Sequence, residues 1–176
     1  MIVILRGASG SGKSTLAKKV KDFFYSEISE FEYSDTIAKD IKKYSSDVSA
    51  RCEIVSADDF FVDANGIYRF DASKLSEAHS SCKNKFLDLA VNSNNVIVVD
   101  NTNTTFKEVN SYCSNLPQDH EIYILEKWCS PEESFNRNLH SVPLHTIKKQ
   151  MNNLSSSQKQ IFNIENVKEI VIVTSD

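Results

Sequence analysis

The chain has 176 residues, of which 40% are hydrophobic and 25% charged, as is typical of one globular domain, here residues 1–176. Its formal net charge of −4 disfavours a protein that coats nucleic acid through a basic surface. No stretch approaches the roughly twenty apolar residues of a membrane span, and the N-terminal apolar run is too short for a signal peptide. The spacing of the four cysteines fits neither a zinc site nor a set of disulfides. We therefore expect a cytoplasmic protein with no membrane contact.

The first fifteen residues predict a phosphate-binding loop. Residues 2–5 form an apolar run typical of a buried strand, G-x-x-x-x-G-K-S follows over residues 7–14, and a helical pattern begins at Thr15. Strand, glycine-rich loop and helix in that order are the context that a P-loop requires. Three of the chain's four glycines lie in this loop, which makes a chance match improbable. The residues expected to bind ATP are Gly7, Ala8, Ser9, Gly10, Ser11, Gly12, Lys13, Ser14 and Thr15.

Each part of this loop has a separate task. Backbone N–H groups and the positive end of the following helix attract phosphate oxygens. Lys13 places a full positive charge near the β- and γ-phosphates, where it is also expected to assist catalysis. The Ser14 hydroxyl is expected to bind Mg²⁺. The loop therefore predicts a nucleoside triphosphate with its magnesium ion as the ligand.

The next elements bring acidic residues to the end of a second strand. After the first helix, residues 35–45 predict a short helix, which is either an insertion that shapes substrate access or, as we favour, a surface helix. The strand predicted over residues 52–56 is followed by Asp58 and Asp59, at the sheet edge where ligands bind in open α/β sheets. Asp59 is either a loop cap or part of the metal shell. In the long helix predicted from residue 73 to about 91, His79 lies on the apolar stripe and is interpreted as a core or boundary histidine.

A third strand, residues 96–99, ends in Asp100, the Walker B arrangement that holds the Mg²⁺ shell or the P-loop serine. Helices are predicted over about 105–115 and over 144–153, with strands at 121–126 and 169–173. A further helix is predicted to begin at Pro131, to carry Arg137 and Asn138, and to be broken by Val142-Pro143. The polar run over residues 155–160 indicates a loop. This alternation predicts an α/β, three-layer P-loop NTPase or kinase fold, with a mostly parallel five-stranded sheet and a helical lid at about 131–152.

Four segments together resemble the polynucleotide 5′-hydroxyl kinase branch of the P-loop kinases, with its small AAA- and zeta-toxin-like relatives. The segments are S-x-D-D-F-F at 56–61, F-D with A-H at 70–71 and 78–79, V-D-N-T-N at 99–103, and R-N-x-H-x-V at 137–142. The resemblance extends from residue 1 to about residue 152. It implies an enzyme that transfers the γ-phosphate of ATP, with Mg²⁺, to the 5′-hydroxyl of a DNA or RNA strand.

The resemblance also implies roles for single residues. Asp58 matches the general base that takes the proton from the attacking hydroxyl, and Asp100 matches the residue that steadies Ser14 and the metal. Arg137 matches a lid arginine that contacts the nucleotide and neutralises the transferring phosphoryl group. Two arginines with which polynucleotide kinases grip an acceptor phosphate are replaced here by Ala57 and Phe61. In the lid, this chain has His140 and Ser141 where those kinases carry further basic residues.

Two other functions therefore stay open. One is a kinase for a small molecule such as a nucleoside or a sugar, because Ala57 and Phe61 remove the expected phosphate grip. The other is a nucleotide-binding module that hydrolyses ATP slowly and acts through a protein partner. Asp58 favours a kinase over such a switch, because a switch needs no base opposite the phosphate.

Overall fold

A computed structural model describes residues 1–114, 116 and 119–174 of the chain. Five strands form one sheet in the order β2-β3-β1-β4-β5, and all four neighbouring pairs are parallel. The strands are β1 (Ile2–Arg6), β2 (Cys52–Val55), β3 (Val96–Asp100), β4 (Ile122–Trp128) and β5 (Val167–Thr174). The α-helices are α1 (Lys13–Tyr25), α2 (Asp35–Ser45), α3 (Leu75–Ala90), α4 (Phe106–Cys113), α5 (Pro131–Arg137) and α6 (Leu144–Phe162).

The central strand β1 shows why the sheet is covered on both faces. All five of its residues are buried, and successive side chains of a strand point to opposite faces. Val3 and Leu5 pack in the apolar cluster that α1 and α2 complete, whereas Ile2 and Ile4 pack in a second cluster with residues of α3 and α4. The predicted three-layer α/β architecture is therefore confirmed. Among the described residues, none of the helices has the length and apolar character that a membrane span requires.

The polar run at residues 155–160 is where the predicted secondary structure is wrong. It lies inside α6, which continues to Phe162 instead of ending near residue 153. Leu154, Ser157 and Ile161 keep one face of this extension buried at helical spacing. Side-chain bonds from Ser155 and Ser157 to the carbonyls four residues earlier satisfy the hydroxyls without breaking the helix. The helix predicted over 105–115 ends at Cys113, and position 115 lies outside the described residues. The helix that begins at Pro131 ends at Arg137, because the backbone of Asn138 is already extended.

A buried ion pair joins the ends of β1 and β4. Arg6 and Glu126 are neighbours in the parallel register, their side chains form a salt bridge, and both are at most 1% exposed. The Arg6 guanidinium also donates to the backbone carbonyl of Asn103 at 3.3 Å and to the Ser157 hydroxyl at 2.8 Å. Burial lowers the pKa of Arg6, and the charge of Glu126 opposes that shift. Because Arg6 immediately precedes the P-loop, these bonds tie the base of the loop to β4, α6 and the segment after β3.

Replacing Arg6 by leucine should reduce the free energy of unfolding by about 3–5 kcal/mol, because Glu126 would become an unpaired buried charge. Urea unfolding followed by circular dichroism measures this loss. The double variant Arg6→Leu/Glu126→Leu should regain much of it, since no charge is then left in the site. Lys19→Leu is the control, because it breaks an exposed ion pair with Glu32 and should cost less than about 1 kcal/mol. A double variant as unstable as Arg6→Leu would show that the other Arg6 hydrogen bonds dominate.

Candidate active site

The P-loop connects β1 to α1 at the carboxyl edge of the sheet. Gly10 and Gly12 have φ values of +79° and +97°, in the left-handed region that favours glycine. A Cβ atom on Gly10 would lie 2.0 Å from the backbone oxygen of Ser134, so the tip of the loop packs directly on the backbone of α5. The glycine pattern in the sequence thus serves both the curvature of the loop and its contact with the predicted lid.

The loop is also held by a residue that the sequence pattern did not indicate. The Gln150 side chain on α6 accepts a hydrogen bond from the Ser9 backbone N–H at 2.8 Å and donates to the Ser9 hydroxyl at 3.2 Å. A single glutamine on a helix carries no recognisable signal, since its partner lies 141 residues away in the chain. The first turn of the loop is therefore positioned by α6 as well as by its own glycines.

Lys13 lies at the start of α1 and is 8% exposed. Its ammonium group donates to the backbone carbonyl of Ala8 at 2.8 Å. Burial lowers the pKa of Lys13 to about 8, against the opposing influence of the negative charges of Asp100 and Asp58. A buried cation of this kind is stabilised when an anion enters the site, so the surroundings of Lys13 fit a phosphate group.

Ser14 and Asp100 place two oxygen donors next to each other in the cavity. The Ser14 hydroxyl is hydrogen-bonded to the Asp100 carboxylate at the end of β3, and both residues line the same cavity. Burial raises the pKa of Asp100, while the Ser14 bond and the charge of Lys13 oppose that rise. Among the described residues, His, Cys, Asp and Glu nowhere form a cluster of three that could hold a metal alone. The donor set fits Mg²⁺, which usually takes its remaining ligands from water and substrate phosphates.

Asp58 lies on a short 3₁₀ helix, Ala57–Phe61, that follows β2. The Ser56 hydroxyl accepts from the Asp58 backbone N–H at 3.2 Å and donates to the Asp100 carbonyl at 2.9 Å. The Asn101 side chain accepts from the Ala57 backbone N–H at 2.9 Å. These bonds join the two segments that leave β2 and β3, so Asp58 and Asp100 are held at one edge of the sheet.

Two further side chains contact the Asp58 carboxylate. The Tyr68 hydroxyl donates to Oδ1 at 3.0 Å, and His140 Nε2 lies 3.6 Å from Oδ2. The Tyr68 and His140 rings are in contact, with centroids 4.5 Å apart. Burial and the charge of Asp58 raise the pKa of Tyr68, which keeps the phenol protonated as a donor. Tyr68 lies in an irregular segment, where no periodicity in the sequence marks it.

Arg137 ends α5 and lines the same cavity as Lys13. Its guanidinium lies 2.6 Å from Glu133 on the preceding turn, and its side chain is 55% exposed. The arginine is therefore at the rim, held by an ion pair on its own helix. Exposed pairs of this type contribute little stability, so a phosphate can compete with Glu133 for Arg137.

One large cavity brings most of the predicted site residues together. It has a volume of about 930 Å³, near the upper end of the usual range for ligand clefts. The predicted residues that line it are Ser9, Gly10, Gly12, Lys13, Ser14, Thr15, Asp58, Asp100 and Arg137. Gly7, Ala8 and Ser11 belong to the P-loop but lie behind this surface.

Other residues are placed differently from the expectations. Asp59 is not among the cavity-lining residues, and its carboxylate bonds to Lys85 at 3.3 Å, which does not favour a place in the metal shell. His79 is exposed and lines the cavity, so its interpretation as a core or boundary histidine was wrong. No residue of α2 lines the cavity, and its buried face packs on α1, as expected of a surface helix.

Comparisons with known proteins agree with this architecture. A family model described as "AAA domain" matches residues 2–154. Human NEDD4-binding protein 2 (Homo sapiens) is 29% identical over 157 residues, a match that covers 86% of this chain. The chain spans only 7% of the length of that relative.

Two solved structures share the fold. A chain from the structure of the Pnkp1/Rnl/Hen1 RNA repair complex matches with a TM-score of 0.58 and 20% identity, covering 90% of this chain and 45% of that one. Kti12 from Chaetomium thermophilum, in complex with ADP-AlF3, matches with a TM-score of 0.57 and 13% identity, covering 100% of this chain and 90% of that one. At these identities the likeness establishes the P-loop kinase fold alone.

The affinity for ATP should fall as the pH rises above about 8, the pKa of Lys13 in the free chain. Below that pH the Lys13 ammonium is already protonated, and the affinity for ATP should be constant. Above that pH the affinity should fall by up to about tenfold per pH unit, because Lys13 must take up a proton when ATP binds. Equilibrium binding of ATP at neutral and alkaline pH measures this.

The variant Lys13→Arg is the matched control, since a guanidinium stays protonated over the whole range and should make binding independent of pH. Exposed Lys18, replaced by alanine, should leave the wild-type profile intact. A wild-type affinity that stays flat to about pH 10 would contradict the expectation: either the pKa of Lys13 is not lowered in the free chain, or its ammonium does not contact the phosphates.

Proposed function

This chain belongs to the AAA domain family, whose model it matches over residues 2–154, and from that premise we propose that it is an ATP-dependent kinase that phosphorylates a hydroxyl group. The observation that carries the proposal is the arrangement of the cavity. The groups proposed to bind phosphate and metal, Lys13 and the Ser14–Asp100 pair, share it with the Asp58 carboxylate, which follows another strand. Phosphoryl transfer needs those two sets of groups facing one space.

The nucleotide half of the reaction falls to the P-loop. The P-loop amides and Lys13 would surround the triphosphate. Arg137, from α5, would leave Glu133 to reach the γ-phosphate. Ser14 and Asp100 would hold a magnesium ion, whose charge would neutralise part of the negative charge of the phosphates. The burial of Lys13 strengthens its attraction for phosphate oxygens, because the charge is removed from water.

Asp58 would act on the acceptor in the other half of the reaction. Its carboxylate would accept a hydrogen bond from the acceptor hydroxyl and orient the oxygen toward the γ-phosphorus. As that oxygen bonds to phosphorus, the bond from phosphorus to the β–γ bridging oxygen breaks, ADP leaves, and the hydroxyl proton passes to Asp58. Tyr68 fixes the orientation of the carboxylate through its 3.0 Å hydrogen bond.

The 5′-hydroxyl of a DNA or RNA strand is the acceptor that we propose. The four sequence segments that resemble polynucleotide kinases support it, as does the shared fold with a chain of an RNA repair complex. Ala57 and Phe61 stand where an acceptor phosphate would need arginines, and this favours a small-molecule alcohol as the second candidate. Transfer from γ-labelled ATP to 5′-hydroxyl DNA, 5′-hydroxyl RNA, nucleosides and sugars distinguishes them; ATP binding without any transfer would favour a nucleotide-dependent binding module.

Asp58→Asn should lower the rate of transfer to the best acceptor by the ~10²–10⁴-fold typical of a lost general base, with ATP affinity nearly unchanged. The amide preserves size and hydrogen bonding but takes no proton. Single-turnover transfer from γ-labelled ATP measures the loss. Asp59→Asn is the matched control, because Asp59 bonds to Lys85 and does not line the cavity. Equal and mild losses in both variants would mean that the aspartate pair only shapes its loop.

Arg137→Ala should reduce kcat by about 10²–10³-fold while changing the affinity for ATP little, because the arginine meets charge that develops only toward the transition state. Steady-state kinetics with ATP and the best acceptor separate the two effects. Glu133→Gln is the companion variant: it breaks the ion pair with Arg137 and should preserve or raise kcat. A loss confined to ATP affinity in Arg137→Ala would identify the arginine as a ground-state contact.

A further inference from the structure

Beyond Asp58, the cavity is lined by a row of aromatic side chains. Phe61 contacts Phe70 and Tyr68 with ring centroids 5.1 Å and 6.1 Å apart, and Tyr68 contacts His140 at 4.5 Å. All four residues line the cavity. Phe70 is 52% exposed, so the row continues to an apolar surface that the chain itself does not cover. Exposed apolar surface within a concave site is typical of a ligand-binding face.

The cationic residues of the cavity belong to elements other than the segment that carries Phe61, Tyr68 and Phe70. Among the described residues that line the cavity, there is one lysine, Lys13, and one arginine, Arg137. Lys13 belongs to the P-loop, and Arg137 lies on α5, paired with Glu133. The proposed function assigns both of these cations to the triphosphate of ATP. Arg69, which stands between Tyr68 and Phe70 in the chain, is not among the lining residues and pairs with Asp63 at 3.0 Å, so the described lining offers no further permanent cation for a phosphate on the acceptor. His79 and Ser141, which also line the cavity, offer uncharged hydrogen-bonding groups.

Tyr68 joins the aromatic row to the proposed base. Its ring is part of the row, and its hydroxyl bonds to Asp58 Oδ1 at 3.0 Å. A ligand that stacks on these rings is thereby positioned relative to the group that would orient its hydroxyl. Flat nucleobases stack on Phe, Tyr and His side chains, and their edges need a few polar partners. A sugar without a base has no flat aromatic ring, so it would cover less of the aromatic row than a nucleoside would.

We infer that the acceptor is a nucleoside unit, recognised by stacking of its base on the part of the row formed by Tyr68, Phe70 and His140, with no requirement for a phosphate on the acceptor; Phe61, only 6% exposed, supports the rings of Tyr68 and Phe70. The inference rests on the proposed kinase function and specifies its acceptor. The nucleoside is either free or the 5′-terminal residue of a strand. In both cases its 5′-hydroxyl lies at Asp58, and the γ-phosphate of ATP is transferred to it as described above.

The test compares four acceptors in transfer from γ-labelled ATP with Mg²⁺: a nucleoside, its 3′-monophosphate, a 5′-hydroxyl dinucleotide and methyl riboside, which lacks the base. The nucleoside should exceed methyl riboside in kcat/KM by about tenfold or more, the scale of one base stacking on aromatic side chains. The nucleoside and its 3′-monophosphate should be similar. A dinucleotide far better than the nucleoside identifies a strand end as the source; similar values identify the free nucleoside.

Three variants locate the effect. Phe70→Ala should raise the KM for the nucleoside about tenfold and leave the KM for ATP and the transfer to methyl riboside unchanged. Phe70→Tyr keeps the ring and should restore the wild-type KM. Phe162→Ala is the control, because Phe162 is equally exposed, at 55%, but lies at the end of α6 outside the cavity.

Equal kcat/KM for methyl riboside and nucleoside would overturn the inference while the kinase function stands. So would a strict requirement for the 3′-phosphate, with the nucleoside itself inert. If none of the four acceptors is phosphorylated but a sugar of the wider panel is, the inference fails while the kinase function stands. If the chain binds ATP but transfers phosphate to no acceptor in either panel, the kinase proposal fails and the inference fails with it. A Phe70→Ala variant that impairs all acceptors equally would show that the ring supports the fold of the cavity instead of binding a base.

Discussion

The buried ion pair between Arg6 and Glu126 is the constraint on which the site depends. Charges removed from water must have all their hydrogen bonds satisfied, and Arg6 finds its remaining partners in the segment after β3 and in α6. Asn103, in that segment, has a φ of +44° and donates to the Leu5 carbonyl at 2.7 Å. The start of the P-loop, the end of β4 and the helix that carries Gln150 are thus tied together, because any other arrangement would leave a buried charge unpaired.

The cavity has a charged half and an aromatic half. Lys13, Ser14 and Asp100 form the charged half, where burial shifts the pKa values of the lysine and the aspartate toward their neutral forms. Such shifts are typical of sites that receive a charged ligand, because the ligand restores the ionised forms. Asp58 lies between the halves, joined to Asp100 by the Ser56 hydroxyl and to the aromatic row by Tyr68. The fold therefore places one carboxylate at the boundary of two chemically different surfaces.

The segment from α5 into the following loop connects both halves. Its helix packs on the P-loop at Gly10, its last residue is Arg137, and His140 follows beside Asp58. The contacts of Arg137 with Glu133 and of His140 with Asp58 are both between partly exposed side chains, which water and ligands can replace at little cost. A movement of this one segment would change the surroundings of the phosphate and of the acceptor hydroxyl together, which is the behaviour expected of a lid.

The sequence by itself determined the features that short-range patterns encode. The strand, glycine loop and helix of the first residues predicted the P-loop, and apolar runs followed by aspartates predicted parallel strands with Asp58 and Asp100 at one edge. Local patterns predicted the wrong structure at two places. Residues 155–160 are polar, yet packing of their buried face keeps them helical. His79 shares a helical stripe with core residues, yet it lines the cavity. Only the tertiary structure decided the partners of Arg6, Ser9 and Asp58. Glu126 lies 120 residues from Arg6, and Gln150 lies 141 residues from Ser9. Tyr68, the partner of Asp58, comes from an irregular loop. Hydrogen bonds between such distant residues follow from how the layers pack, and no periodicity along the chain records them.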